Sequence, residues 1–247
     1  MKPKIIAISG LAGDGKDSVC KILKNYFTKH SGYKFKRIAL ADQLKVECYE
    51  ACMDLFRIDP INCSREDKEK IRDFLVFYGK IMRSKSKGTH WTSEALKRIE
   101  KFNSGNDIFC VPDIRYAFHP ADECQWIKNN GGIHIHVQKF TVDTNFDLGK
   151  GVSVSTNFST PINKEELKNN PPVIAFADYI IEWYDCSPEL PENNRECIDA
   201  VNEIAKKILI SYTQNQSLVT SQGKEKVKGT RKKKSSKNDN KHLTIDL

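Results

Sequence analysis

The chain has 247 residues, with 40 Lys and Arg against 32 Asp and Glu for a formal net charge of +8, and eight cysteines. That length buries a real core and allows one large domain or two small ones, while the lack of any apolar run near membrane-span length excludes an integral helical membrane protein. The excess charge is local: nine Lys or Arg and three acids follow Thr213, leaving residues 1–212 nearly neutral at +2.

The first element is the short, β-branched apolar run at 5–8, which predicts a buried strand. Gly10, Gly13 and Gly15 come next, then Lys16, and Val19, Ile22, Leu23, Tyr26 and Phe27 follow at the spacing of one helix face. Strand, glycine loop and helix, with Gly10-x-x-x-x-Gly15-Lys16 at the junction, make a P-loop in the context that motif requires. Glycines let backbone N–H groups close around a polyphosphate, the helix start adds positive potential, and Lys16 supplies a mobile charge. Asp17 stands where a Ser or Thr hydroxyl ordinarily meets Mg²⁺, and Ser18 comes one place later. The carboxylate of Asp17 either holds the metal, directly or through water, or caps the helix.

Residues 35–40 predict a second strand, and Asp42 an N-cap for a helix carrying Leu44, Cys48, Ala51, Cys52 and Leu55. Ser64 with Asp67 forms a capping box for a helix burying Ile71, Phe74, Leu75, Tyr78 and Met82, with Arg65 and Arg72 near its start. Gly79 within that pattern marks close backbone approach or an early end. Trp91, Ala95, Leu96 and Ile99 mark another helix, and 107–111 a buried strand ending in Pro112-Asp113-Ile114-Arg115. At the carboxyl end of such a strand, Asp113 suits metal or second-layer support, and the Arg115 fork suits a phosphate. A mutual salt bridge that merely orders the loop is the plainer alternative.

Residues 121–129 predict a helix and 133–137 a strand with His134 and His136 partly exposed on one face. The polar stretch 143–172, without clear periodicity, reads as a lid or binding loop. A last strand at 177–183 precedes a helix through Ile198, Val201, Ile204, Ala205, Ile208 and Leu209. The expected fold is α/β, a parallel sheet of about five strands flanked by helices over 1–212, with a disordered basic tail at 213–247. The tail's basic run, 228–234, reads as a nuclear address, a nucleic-acid patch or a solubilising segment. No cysteine pair has C-x-x-C spacing, and no signal peptide precedes the first strand, so a reducing cytoplasmic setting is expected.

With these blocks placed, the sequence resembles the deoxynucleoside monophosphate kinases of the T-even bacteriophage type. The resemblance rests on Ser9-Gly10 through Gly15-Lys16-Asp17-Ser18, Leu40-Ala41 with Lys45, Arg72-x-x-Leu75-x-x-x-Gly79, Trp91, and Phe102-Asn103-Ser104-Gly105 through Val111-Pro112-Asp113-x-Arg115, and it covers about 1–210. It implies a P-loop kinase fold and transfer of the γ-phosphoryl of ATP, with Mg²⁺, to a deoxynucleoside 5′-monophosphate. Gly10, Gly13, Asp14, Gly15, Lys16, Asp17 and Ser18 would then hold the donor, with Asp17 and Ser18 nearest the metal. Asp42, Lys45, Arg65, Arg72, Gly79, Trp91, Asp113 and Arg115 would line the acceptor, and Lys16, Arg72, Asp113 and Arg115 would carry the transfer. The acceptor oxygen is already ionised at neutral pH, so such an enzyme aligns and neutralises two phosphates and needs no general base. One departure stands out: an arginine expected after the penultimate strand is replaced by Gln138-Lys139, leaving Lys139 or Lys150 for that place. The competing expectations are a P-loop kinase of another phosphorylated acceptor, such as phosphomevalonate, and a nucleic-acid-binding module acting through the tail. A second copy of the chain is a candidate partner.

Overall fold

The computed structural model describes the backbone of residues 3–147, 151–185 and 191–227, and the side chains of 3–143, 154–185 and 191–214. The expected opening strand is β1 (Lys4–Ser9), with Ile5, Ile6, Ala7 and Ile8 all fully buried, and α1 (Lys16–His30) follows the glycine loop. After β2 (Lys34–Arg37) comes a helical insertion of α2 (Leu40–Glu47), α3 (Tyr49–Phe56), α4 (Arg65–Lys85) and α5 (His90–Phe102). The chain then runs through β3 (Asp107–Ile114), α6 (Glu123–Asn129), β4 (Ile133–Asp147), β5 (Gly151–Phe158), α7 (Lys164–Ala175), β6 (Tyr179–Tyr184) and α8 (Arg195–Val227).

The sheet has six strands among the described residues and is mixed, correcting the expectation of a parallel sheet of five. Its path is β2-β3-β1-β4-β5, with β6 also on β4. The β2/β3, β3/β1, β1/β4 and β4/β6 pairs are parallel, and β4/β5 is antiparallel. The reason lies in the 15 residues of β4. Its part from Ile135 to Phe140 pairs with β6, and its far part from Phe140 to Asp147 runs on to form a ladder with β5. The stretch expected as an irregular loop at 143–172 is therefore strand and helix for most of its length. The ladder begins where Phe140, just before that stretch, pairs with Phe158, with ring centroids 5.9 Å apart.

Strand alternation divides the core. Ile5 and Ala7 join Phe109, Val111, Trp91, Ala95, Ile99 and Ile127 on the side covered by α5 and α6. Ile6 and Ile8 point the other way, where α1 buries Val19, Ile22, Leu23 and Phe27. A smaller cluster of Cys48, Cys52, Ile71 and Leu75 holds the insertion together.

Local details depart from expectation in three places and follow it in a fourth. Strand β2 stops at Arg37, because Leu40 already opens α2. The helix expected through Leu55 breaks at Cys48 into α2 and α3. Gly79 does not end α4; Leu44 packs over it, 3.8 Å from where a Cβ would lie. The Ser64 capping box is present, its hydroxyl accepting the Asp67 N–H at 3.0 Å.

The chain divides into two compact units, Met1–Leu209 and Ile210–Leu247. The first holds the sheet, α1 to α7 and the start of α8. In the second the described residues continue α8 to Val227, so the segment 213–227 of the expected disordered tail has helical backbone. The basic run at 228–234 lies outside the described residues, as does Lys150. Among the described residues no helix is long and apolar enough to cross a membrane.

Candidate functional site

The loop between β1 and α1 depends on its glycines. Gly10, Gly13 and Gly15 have φ of 149°, 89° and 87°, backbone that L side chains rarely adopt. A Cβ on Gly10 would lie 2.5 Å from the Val137 carbonyl oxygen, whereas one on Gly13 would meet nothing within 4 Å. Two bonds brace the turn: the Leu11 N–H donates to Asp14 Oδ2 at 2.8 Å, and the Trp183 indole N–H donates to the Asp14 carbonyl at 2.9 Å. Burial raises the Asp14 carboxyl above the usual carboxylate range, against the pull of Ser159, the Leu11 N–H, Lys16 and Lys139.

Lys16 folds back over this loop, its amine donating to the carbonyls of Gly10 at 2.9 Å and Leu11 at 2.6 Å. Burial lowers its pKa first, and the positive charge of Arg115 lowers it further. The loop lysine and the arginine after β3 are thus brought together at the carboxyl edge of the sheet. Parallel β1 and β3 end side by side there, with Ser9 opposite Ile114.

Arg115 is held at its backbone. Its N–H donates to Glu123 Oε2 at 2.6 Å, and the Tyr116 N–H donates to the same oxygen at 3.2 Å. Burial pushes the Glu123 carboxyl up to about 8, outweighing the backbone bond that opposes it. The next acid, Asp122, is paired with Arg83, whose Nη2 lies 2.5 Å away, and accepts the N–H groups of Phe118 and His119. The Arg115 side chain itself remains 52% exposed and aimed at Glu166, 3.6 Å away.

Asp113 is engaged by the helical insertion. Its two oxygens accept the N–H groups of Leu40 and Ala41 at 2.9 and 2.7 Å, so it caps α2 from a different strand. Ala39, not Asp42, is the residue at the cap position. Asp42 instead meets Arg37 at 3.4 Å, and Arg37 reaches Asp17 at 3.6 Å. Asp17 and Ser18 diverge: the Asp17 side chain is 78% exposed beside Arg37, while Ser18 is buried.

On the acceptor side, Arg72 lies on the exposed face of α4, paired with Glu69 at 2.5 Å and within the field of Glu166. Arg65 is exposed one turn before Glu69, and Lys45 is half-buried in the last turn of α2. Trp91 is not brought to a surface: it is 7% exposed in the core, its N–H donating to the Gly79 carbonyl at 3.4 Å. Lys139 is paired with Asp185 at 2.8 Å.

Beneath the loop is a cluster that sequence reading misjudged. His134 and His136, expected partly exposed, are both buried, and each places a ring nitrogen 2.7 Å from the Ser9 hydroxyl. Burial holds both imidazoles at about 4, so they are neutral at pH 7 and bridge through one hydroxyl. Arg37, Glu123 and Glu166 were also missed. Arg37 ends a strand at the sheet's carboxyl edge, which was the available signal; the two acids gave none, since their partners lie on other elements.

Compared with known proteins, the sequence matches no family model and no curated protein.

Proposed function

We propose that the protein is an ATP-dependent kinase whose acceptor itself carries a phosphate, with deoxynucleoside 5′-monophosphates as the substrate class. The observation that carries this reading is the proximity of Lys16 and Arg115. Each cation stands in the other's field and Lys16 is buried as well; Asp14, Asp17 and Glu166 offset part of that charge, and a bound phosphate would offset it further. A glycine loop at a strand-to-helix junction with open space at Gly13 is what a triphosphate requires. The order of the parallel strands, β2-β3-β1-β4-β6, puts that loop at the sheet's centre, as a P-loop kinase fold would have it.

The roles follow from charge and position. Lys16 binds the donor's terminal phosphates once its bonds to Gly10 and Leu11 yield to stronger charge-assisted ones. Arg115 and Arg72 grip the acceptor phosphate, and Glu123 fixes the backbone from which Arg115 reaches. Gly10 and Trp183 hold the loop in shape and exclude water from beneath it. For Mg²⁺, Asp17 offers one exposed hard oxygen donor in the first turn of α1. Among the described residues no group of three or more His, Cys, Asp or Glu could hold a metal ion. When bound, Mg²⁺ would offset phosphate charge.

The test is a coupled assay of ADP release with ATP, Mg²⁺ and each of the four deoxynucleoside monophosphates, with Lys16→Ala as the blank. Turnover with at least one acceptor, lost in the variant, is expected. Absence of turnover with all four overturns the reading.

A further inference from the structure

The first turn of α7 supplies an acid to a place that calls for an anion. Glu166 Oε1 lies 3.6 Å from the Arg115 guanidinium, and its carboxylate also acts on Lys16 and on Arg72. Its side chain is only 10% exposed, and it accepts the Ile162 N–H at 3.2 Å. Glu165 beside it is paired with Lys80 and accepts the Tyr116 hydroxyl at 3.0 Å.

Ion pairs and polar contacts hold this end of α7, with Asn163 capping it and Asn169 buried, and its large apolar side chains pack little. Ile162 and Leu167 are 62% and 64% exposed. The far end is anchored differently, with Val173 buried in the main core. Between the two ends stand Pro171 and Pro172, neither of which can donate to the carbonyl four residues before it. Consecutive prolines inside a helix are where it bends. The helix is thus built as an ionic latch, a hinge and a fixed anchor.

We infer that Glu166 is the resident counter-ion of the acceptor-phosphate clamp: a phosphate dianion bound on Arg115 and Arg72 displaces it and frees residues 164–170 to turn about Pro171 and Pro172 as a lid. This rests on reading Arg72 and Arg115 as a phosphate clamp. A lone carboxylate at 3.6 Å is a weak partner for a guanidinium, whereas a dianion engages its fork through two oxygens. The exchange therefore favours phosphate, and it ties occupancy of the clamp to movement of the element beside the glycine loop.

Inorganic phosphate tests this on the full chain, read by titration calorimetry and by amide hydrogen exchange over 163–170. Phosphate should speed exchange there in the wild type. Glu166→Gln should exchange fast without phosphate and bind it up to about fivefold tighter, the size of a weak ion pair removed. Arg115→Gln should lose phosphate binding. Pro171→Ala with Pro172→Ala should bind phosphate yet blunt the exchange response, which serves if Glu166→Gln does not fold. No phosphate binding by the wild type, unchanged or slower exchange on binding, or no gain in affinity in Glu166→Gln overturns the inference. An active kinase without the exchange response defeats the latch alone, and a phosphate response without turnover defeats the kinase reading alone.

Discussion

The carboxylate of Asp113 accepts the backbone N–H of Ala41 at 2.7 Å, so the acid that ends β3 is the cap of a helix from the insertion. It accepts the Leu40 N–H as well, at 2.9 Å, and burial raises its carboxyl above the ordinary range despite both bonds. Removing it leaves two helix-start donors unpaired. Asp113→Ala should cost about 1–2 kcal/mol of stability, and Asp113→Asn less. Urea melts at pH 7 check this. If Asp113 served a metal instead, Asp113→Asn would abolish turnover with the melt unmoved.

Gly10 and Gly13 should fail in different ways. At Gly10 a methyl group meets the Val137 carbonyl 2.5 Å away, and backbone there has nowhere to go. Gly10→Ala should cost about 3 kcal/mol or more and yield little folded protein. At Gly13 the protein offers no clash, so Gly13→Ala should cost only about 1–2 kcal/mol for its positive φ. Its defect should appear in nucleotide affinity, because the new methyl group occupies the approach to the loop. Melts and ATP titrations of the two variants, side by side, separate the effects.

The buried histidines set an acid limb. Burial holds His134 and His136 at about 4, below the 6.5 of an exposed imidazole. The unfolded chain therefore takes up protons first, and stability falls as pH drops from 6.5 to about 4, with no further loss from this source below that. By pH 5 each imidazole should have removed about 2 kcal/mol relative to pH 7. His136→Asn should remove about half of that slope in chemical denaturation at the two pH values. An unchanged slope would mean that water reaches the pair.

Glu123 sets the opposite limb. Its carboxyl is pushed up to about 8 from an ordinary 4.5, so the folded state holds a proton that the unfolded state releases. That contribution is complete below pH 4.5 and is lost as pH rises to 8, amounting to about 3 kcal/mol between pH 5.5 and 8. Glu123→Gln keeps an oxygen for the Arg115 and Tyr116 N–H groups and has no proton to lose. Its melting temperature should be flatter than the wild type's over that range and higher at pH 8. A parallel fall in both proteins would place the alkaline loss elsewhere.

What was legible in the chain was local. The apolar run before Gly10, the helical spacing after Lys16, the strand at 107–111 and the Ser64 cap each arise from residues within a turn or two of one another, where propensity and periodicity act directly. The glycine loop was legible for the same reason, since its glycines, lysine and flanking elements are contiguous. Other features hung on partners far along the chain. His134 and His136 look like ordinary strand residues until β4 is set beside Ser9, and Asp113 looks like a site acid until α2 starts above it. Glu166 has no meaning in its own polar stretch; its role arises because the sheet and α7 carry Arg115 and Lys16 to it. Burial and charge pairing depend on which distant segments meet, and that is set by packing of the whole domain.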